Sequence, residues 1–126
     1  MLDCERHRVV LANAGHPLPL LRRPDGAVEQ IAGAGVPLGV SGSASLQAPD
    51  VTLSMDPGSS LLLYTDGLVE AHDGDREERA ARRLHELLSR HGGSARAAGR
   101  AIVAALVAGG DGRRDDTTLV CLARLT

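Results

Sequence analysis

The chain has 126 residues, 43 % hydrophobic and 24 % charged, the profile of one ordinary domain able to bury a core. A net charge of −2, no Trp, no Phe and a single Tyr argue against a nucleic-acid module, which carries a basic excess and stacking aromatics. No Lys occurs anywhere, which removes P-loop, kinase-type and Schiff-base chemistry.

No apolar run approaches the ~18 residues that span a bilayer, and the charged start MLDCERHRVV has no signal-peptide core. Cys4 and Cys121 lie at opposite ends with no metal spacing and read as reduced cytosolic thiols. Residues 8–12 predict a short strand. Residues 18–23 predict another, moved towards a sheet edge by Pro19. Pro24-Asp25-Gly26 is a turn signal, and 27–31 alternate as a third strand, so the three pieces suggest an antiparallel meander. Residues 32–50 are rich in Gly, Ser, Ala and Pro and read as a loop. Val51, Leu53 and Met55 alternate with polar residues, as in a half-buried strand. Asp56-Pro57-Gly58 turns the chain, and Leu61–Thr65 is a strand apolar on both faces.

Two helices follow. Over about 76–90, Ala80, Leu84, Leu87 and Leu88 share a face; Asp73 or Asp75 offers an N-cap and Gly92 a left-handed stop. Arg76, Arg79, Arg82 and Arg83, with Glu77, Glu78 and Glu86, read as its solvated side. Over about 95–108, Ala98, Ile102, Ala105 and Leu106 form a second stripe, capped by Ser94 and ended by Gly109-Gly110. A last strand spans 117–123. The class is α+β.

Several motifs are decoys. Gly33–Gly39 resembles a dinucleotide loop, but Pro37 interrupts it and no helix follows. His85-Glu86 lacks the second His of a zinc-protease helix, since His91 falls at i+6. Asp73-Gly74-Asp75 is too short for a calcium loop.

Two carboxylate sites remain. Tyr64-Thr65-Asp66-Gly67 delivers an acid to the end of a buried strand, and Asp115-Asp116 stands at the entrance of the last one. Adjacent carboxylates repel unless a cation or Arg offsets them. If strands 61–65 and 117–123 are neighbours, both sites meet at one sheet edge, and all-oxygen ligands suit Mg²⁺ or Mn²⁺. A plainer reading stands beside this one. Asp-Gly is a common tight-turn dipeptide, and Asp115-Asp116 can pair with Arg113 and Arg114.

Asn13-Ala14-Gly15-His16-Pro17, Pro37-Leu38-Gly39, Leu63-Tyr64-Thr65-Asp66-Gly67-Leu68-Val69-Glu70-Ala71 and Arg114-Asp115-Asp116-Thr117-Thr118-Leu119 occur in that order. The string resembles the bacterial SpoIIE-like branch of the metal-dependent (PPM, type 2C) protein phosphatases, from about residue 8 to the end. The resemblance implies an antiparallel β-sandwich of two sheets flanked by helices. It implies hydrolysis of phosphoserine or phosphothreonine at a dinuclear Mn²⁺ or Mg²⁺ site, without a covalent enzyme intermediate. Asp66 and Asp115 match the family's metal ligands. Gly67 and Asp116 accompany them in the candidate metal set, and His16 and Arg114 are candidates for the substrate phosphate. Glu70 reads as a turn or helix-entry residue. The implied substrate is a phosphorylated regulator of the anti-anti-sigma class in the cytoplasm, with no nucleic acid and no membrane as partner.

The family's Gly-Asp-x-x-Gly-His-Gly segment, which carries another metal-binding Asp, has no counterpart here. The expectation is therefore a single domain over 1–126 that lacks its N-terminal strands. Its unpaired sheet edges would invite dimerisation. The alternative to an enzyme is a phosphatase-like fragment that binds or regulates.

Overall fold

Two adjacent leucine pairs set the layering. Leu20 and Leu21, and Leu61 and Leu62, are all fully buried, although neighbours in a strand point to opposite faces. Both strands must therefore lie in the middle layer of three. The computed structural model describes residues 1–39, 48–69, 74–107 and 116–125.

The strands are β1 (Leu2–Asp3), β2 (Arg8–Leu11), β3 (Asn13–Ala14), β4 (Leu20–Arg22), β5 (Val28–Gln30), β6 (Ala34–Gly35), β7 (Val51–Ser54), β8 (Ser60–Tyr64) and β9 (Leu119–Ala123); the helices are α1 (Gly74–His91) and α2 (Ala95–Ile102). The middle layer is the antiparallel sheet β5-β4-β8-β9. On one side it carries α1 and α2, with Leu20, Leu62, Tyr64, Leu68, Leu84, Leu88, Ala98 and Ile102 packed between. Burial there pushes the Tyr64 phenol above its usual pKa. On the other side lies the antiparallel sheet β1-β2-β7, and Val9, Leu21, Ile31, Leu53, Met55 and Leu61 fill the gap. An antiparallel sandwich of two sheets flanked by helices is the expected architecture, and it is the one observed, with α1 and α2 on one side.

The meander is corrected. β4 and β5 do form a hairpin, but β2 pairs with β7 in the other sheet, Val9 opposite Leu53. Pro17 and Pro19 cannot donate to a ladder, and the turn at 13–17 carries the chain from one sheet to the other. Nor is the Pro19 strand at an edge. β4 lies between β5 and β8, because Pro19 stands just before it and offers only its carbonyl, to Ile31 N at 2.8 Å. Residues 32–39 are also not wholly loop, since β6 pairs in parallel with β3; 40–47 lie outside the described residues.

Helix α1 begins at Gly74, so Asp75 stands inside it and is not its cap, while Asp73 lies outside the described residues. Ion pairs Arg82–Glu78 and Arg83–Glu86, both 3.0 Å, lie on its exposed face as expected. Gly92 does not adopt a left-handed conformation. It is small for lack of space: a Cβ there would stand 2.3 Å from Arg22 Cδ, 2.5 Å from Leu88 O and 2.7 Å from Ser60 Oγ. Arg22 closes this end by donating from Nε to Ser89 O (2.9 Å) and from an Nη to Gly58 O (3.0 Å), so a β4 side chain takes up an orphan carbonyl of α1. Ser94 caps α2 through Ala97 N (3.3 Å). The helix then passes into a π-helical turn, Val103–Val107. The wider turn advances each residue less around the axis, and Ala105 leaves the predicted stripe and is exposed. Gly109-Gly110 lie outside the described residues.

Cys4 is exposed and Cys121 half-buried, both as free thiols, and burial pushes the Cys121 thiol above its usual pKa. Among the described residues no helix is long and apolar enough to cross a membrane.

The β1–β2 turn offers a pH test. Asp3 Oδ1 accepts from Arg6 N at 2.9 Å, and Arg6 and Arg8 lie within 3.7 Å of Oδ2. The Arg6 backbone bond, ahead of the guanidinium contacts, holds the carboxyl below its ordinary 3.8. A carboxyl whose folded pKa is depressed stabilises above its unfolded pKa, and that contribution disappears as pH falls through the folded one. The protection of β1 amides, relative to their intrinsic exchange rate at each pH, is therefore expected to fall on acidification below about pH 4, and that of Asp3→Asn to be insensitive to the same step.

Candidate active site

The candidate site is built where β8 and β9 end together. Their register sets Tyr64 opposite Leu119, which carries Thr65-Asp66-Gly67 and Asp116-Thr117-Thr118 out of the same sheet end on neighbouring segments. The predicted adjacency of strands 61–65 and 117–123 is observed.

Two hydroxyls lace the segments. Thr65 N donates to Thr118 O (3.0 Å), and Thr118 N donates to Thr65 Oγ1 (2.9 Å). Thr65 Oγ1 in turn donates to Asp116 O (3.2 Å), and Thr117 Oγ1 donates to Gly67 O (3.3 Å). These threonines were not among the sequence-level candidates. Thr reads as a strand former, and only the pairing reveals its hydroxyl as a fastener.

Beyond Thr65 the chain enters a 3-10 turn, Asp66–Leu68, closed by Leu68 N to Thr65 O (3.1 Å) and Val69 N to Asp66 O (2.8 Å). Leu68 anchors it in the helix-side core at 1 % exposure. Asp66 is exposed; its Oδ1 accepts from Gly67 N (2.9 Å), and its second oxygen takes no hydrogen bond from a described residue. Gly67 is buried, so its place in the predicted metal set is that of a turn residue with its N–H and carbonyl both engaged. Asp116 is exposed beside it. Asp115, Arg113, Arg114 and Glu70 lie outside the described residues.

The two other described motifs pack against each other. Asn13 staples its own turn: Oδ1 accepts from His16 N (2.8 Å) and Nδ2 donates to His16 O (3.0 Å). Gly15 has φ +84, and a Cβ there would stand 2.4 Å from Pro37 Cγ, so only Gly fits between this turn and the Pro37-Leu38-Gly39 segment. His16 is exposed, and its backbone holds the turn. With Leu11, Asn13, Pro17 and Leu63 it lines an open cleft of about 390 Å³, and Leu63 lies on β8 three residues before Asp66.

An exposed carboxylate with a spare oxygen, beside a second acid, offers hard oxygen donors of the kind that suit Mg²⁺ or Mn²⁺. Among the described residues no group of three or more His, Cys, Asp or Glu is gathered to hold one.

Thr65→Val keeps the side-chain shape and removes the acceptor of Thr118 N. The expected cost is about 1–2 kcal/mol, read as a fall of ~4–8 °C in Tm. An unchanged Tm would mean that the two segments are not held by this hydroxyl.

Comparison with known proteins places this geometry. Among curated proteins none matches. The chain is similar to the RsbU and RsbW domains of Rv1364c from Mycobacterium tuberculosis, at 26 % identity and TM-score 0.74, over 98 % of this chain and 35 % of that one. It shares the fold of the phosphatase domain of the cell fate determinant SpoIIE from Bacillus subtilis, at 16 % identity and TM-score 0.71, over 100 % of this chain and 54 % of that one. The chain thus spans about half, or less, of each of these two structures. The family model of Stage II sporulation protein E (SpoIIE) matches residues 1–125, and the chain belongs to that family.

Proposed function

We propose that this chain carries part of the catalytic centre of a metal-dependent protein serine/threonine phosphatase. The supporting observation is the pairing of β8 with β9, which brings Asp66-Gly67 and Asp116 to one sheet end. In this reading Asp66 and Asp115 are metal ligands, with Asp116 beside them. Gly67 lets the backbone turn so that the Asp66 carboxylate faces outward, and Thr65 and Thr117 hold the two acid-bearing segments in register. When bound, an Mn²⁺ or Mg²⁺ pair lowers the pKa of a water and offsets charge on the phosphoryl oxygens. His16 and Arg114 are proposed to meet the substrate phosphate, Arg114 through its planar fork of donors.

The proposed substrate is a phosphoserine or phosphothreonine protein of the anti-anti-sigma class, met in the cytoplasm. The similarity to a chain that joins an RsbU to an RsbW domain favours such a regulatory protein. The reading includes self-association through an unpaired sheet edge, a property separate from the phosphatase chemistry.

A second reading has its own observation: among the described residues no group of three or more His, Cys, Asp or Glu is gathered. The chain would then be a phosphatase-like module that binds or regulates without turnover.

One experiment separates them. The chain and its Asp66→Asn variant are assayed for Mn²⁺-dependent hydrolysis of a chromogenic phosphate ester, with folding checked by circular dichroism. The catalytic reading expects turnover that needs Mn²⁺ and falls at least ~100-fold in Asp66→Asn, the scale of losing a charge-stabilising group. Folded protein without turnover supports the binding module and overturns the catalytic reading for this chain.

A further inference from the structure

The two helices balance their exposed charges differently. On α1, Arg82 pairs with Glu78 and Arg83 with Glu86, both at 3.0 Å. From Leu87 to Gly110 the sequence holds three arginines, one histidine and no carboxylate, in a chain of net charge −2. Arg90, His91, Arg96 and Arg100 are all exposed, and the ion pairs among the described residues lie elsewhere. Arg96 breaks two local rules. It stands in the first turn of α2, which holds no acid, so its charge opposes the helix dipole. It also lies four residues before Arg100, and a like-charge pair at that spacing destabilises a helix by about 0.2–0.5 kcal/mol. An exposed position that breaks local rules without a compensating contact points to function.

The two arginines share a face. Ala98 and Ile102 are fully buried, and Ala101 packs with them. The opposite arc of the helix carries Arg96, Ala97, Arg100, Val103 and Ala104, all exposed. Arg96 and Arg100 are about 6 Å apart along the axis, and Val103, 44 % exposed, follows one turn later. The small alanines beside them leave room for a second helix axis at about 8–10 Å. Ser94 N donates to His91 O (3.2 Å), which keeps the end of α1 at the corner where α2 starts.

We propose that the outer face of α2, with the end of α1, docks an acidic helix of a partner protein. This goes beyond the phosphatase reading and does not depend on it. The chemistry of the face selects the occupant. Carboxylates one turn apart on the partner match the spacing of Arg96 and Arg100, and each guanidinium offers a carboxylate two parallel donors. A carboxylate laid between them also removes the repulsion that α2 carries alone. An apolar residue one turn further on meets Val103. Two copies of this chain meeting through this face would set arginine on arginine. A nucleic acid calls for a larger basic excess and stacking aromatics. An anionic membrane gains about 1 kcal/mol per basic residue, and Val103 alone is too little to insert. Exposed ion pairs contribute about 0.2–1 kcal/mol each, so the contact is weak and reversible.

The test is the amide NMR spectrum of the chain in about 0.15 M salt. It is titrated with a helix-forming peptide that carries Glu at i and i+4 and Leu at i+7, and with the Gln counterpart of that peptide. The expected result is saturable shifts confined to residues 90–104 with the Glu peptide and none with the Gln peptide. Arg96→Glu places an acid in the first turn and pairs it with Arg100, so it is expected to keep or raise Tm while weakening the Glu peptide about 10-fold. Arg82→Gln, on the ion-paired face of α1, is expected to leave peptide binding unchanged. Shifts that do not saturate by roughly 2 mM peptide overturn the proposal. So do an equal response to the Gln peptide, equal shifts at Arg82 and Arg83, and an Arg96→Glu chain that binds as tightly as the parent or loses Tm along with binding. Shifts at 90–104 produced by phosphatidylserine vesicles and not by the peptide overturn it in favour of a membrane surface. Phosphatase turnover plays no part in this readout, so either reading can fail alone.

Discussion

Leu62→Ala is expected to remove about 3–5 kcal/mol of stability, a large part of the 5–15 kcal/mol available to a domain. Leu62 is 0 % exposed at the centre of the middle sheet, with Leu20 and Cys121 as its cross-strand neighbours and the helix-borne leucines above it. Every atom removed leaves a void bounded by a sheet and by two helices tied to it, which resists collapse. Leu61, one residue earlier, is 2 % exposed but points to the sheet β1-β2-β7, which leaves Val120 partly open. That gap can relax, so Leu61→Ala is expected to cost less, about 2–3 kcal/mol. Urea titration with an unchanged m-value checks both. If Leu61→Ala costs as much as Leu62→Ala, the two cores are equally rigid and the layering argument is wrong.

The same residues show what the sequence discloses. A strand with a run of apolar residues on both faces, such as Leu61–Tyr64, has to be central, and β8 is. A last strand at 117–123 was legible, and β9 covers 119–123; its pairing with β8 stood only as a condition, which the structure supplies. Local pattern does not report the partner of β2, which lies about forty residues away beyond five prolines. The two-residue strands β1, β3 and β6 are too short to have a period. Ala105 was misplaced because a π-helical turn breaks the 3.6-residue rhythm within one helix. At the candidate site, Asp66 was singled out by its type and its place after a buried strand. The hydroxyls of Thr65 and Thr117 were not, because their partners exist only once the strands pair.

Gly92 carries the second large effect, and here the sequence reading and the structure expect different sizes. A glycine just past a helix suggests a left-handed cap, where alanine costs about 1 kcal/mol in backbone strain. The structure gives a steric reason instead. The alanine Cβ would meet Arg22 Cδ, Ser60 Oγ and Leu88 O, and the last is backbone of the very turn whose carbonyl accepts Gly92 N at 2.8 Å. Relief requires the end of α1 to move, and that end is fixed by Arg22 to Ser89 and by Ser89 Oγ to Gly26 O (2.7 Å). Gly92→Ala is therefore expected to cost about 3 kcal/mol, the upper part of the range for overpacking. Removing Arg22 and Ser60 side-chain atoms, as in Arg22→Ala with Ser60→Ala, should recover only part of the loss, because the Leu88 carbonyl stays in place. Full recovery would show that the side chains alone set the limit. A loss near 1 kcal/mol, unaffected by either change, would return Gly92 to the role of an ordinary cap.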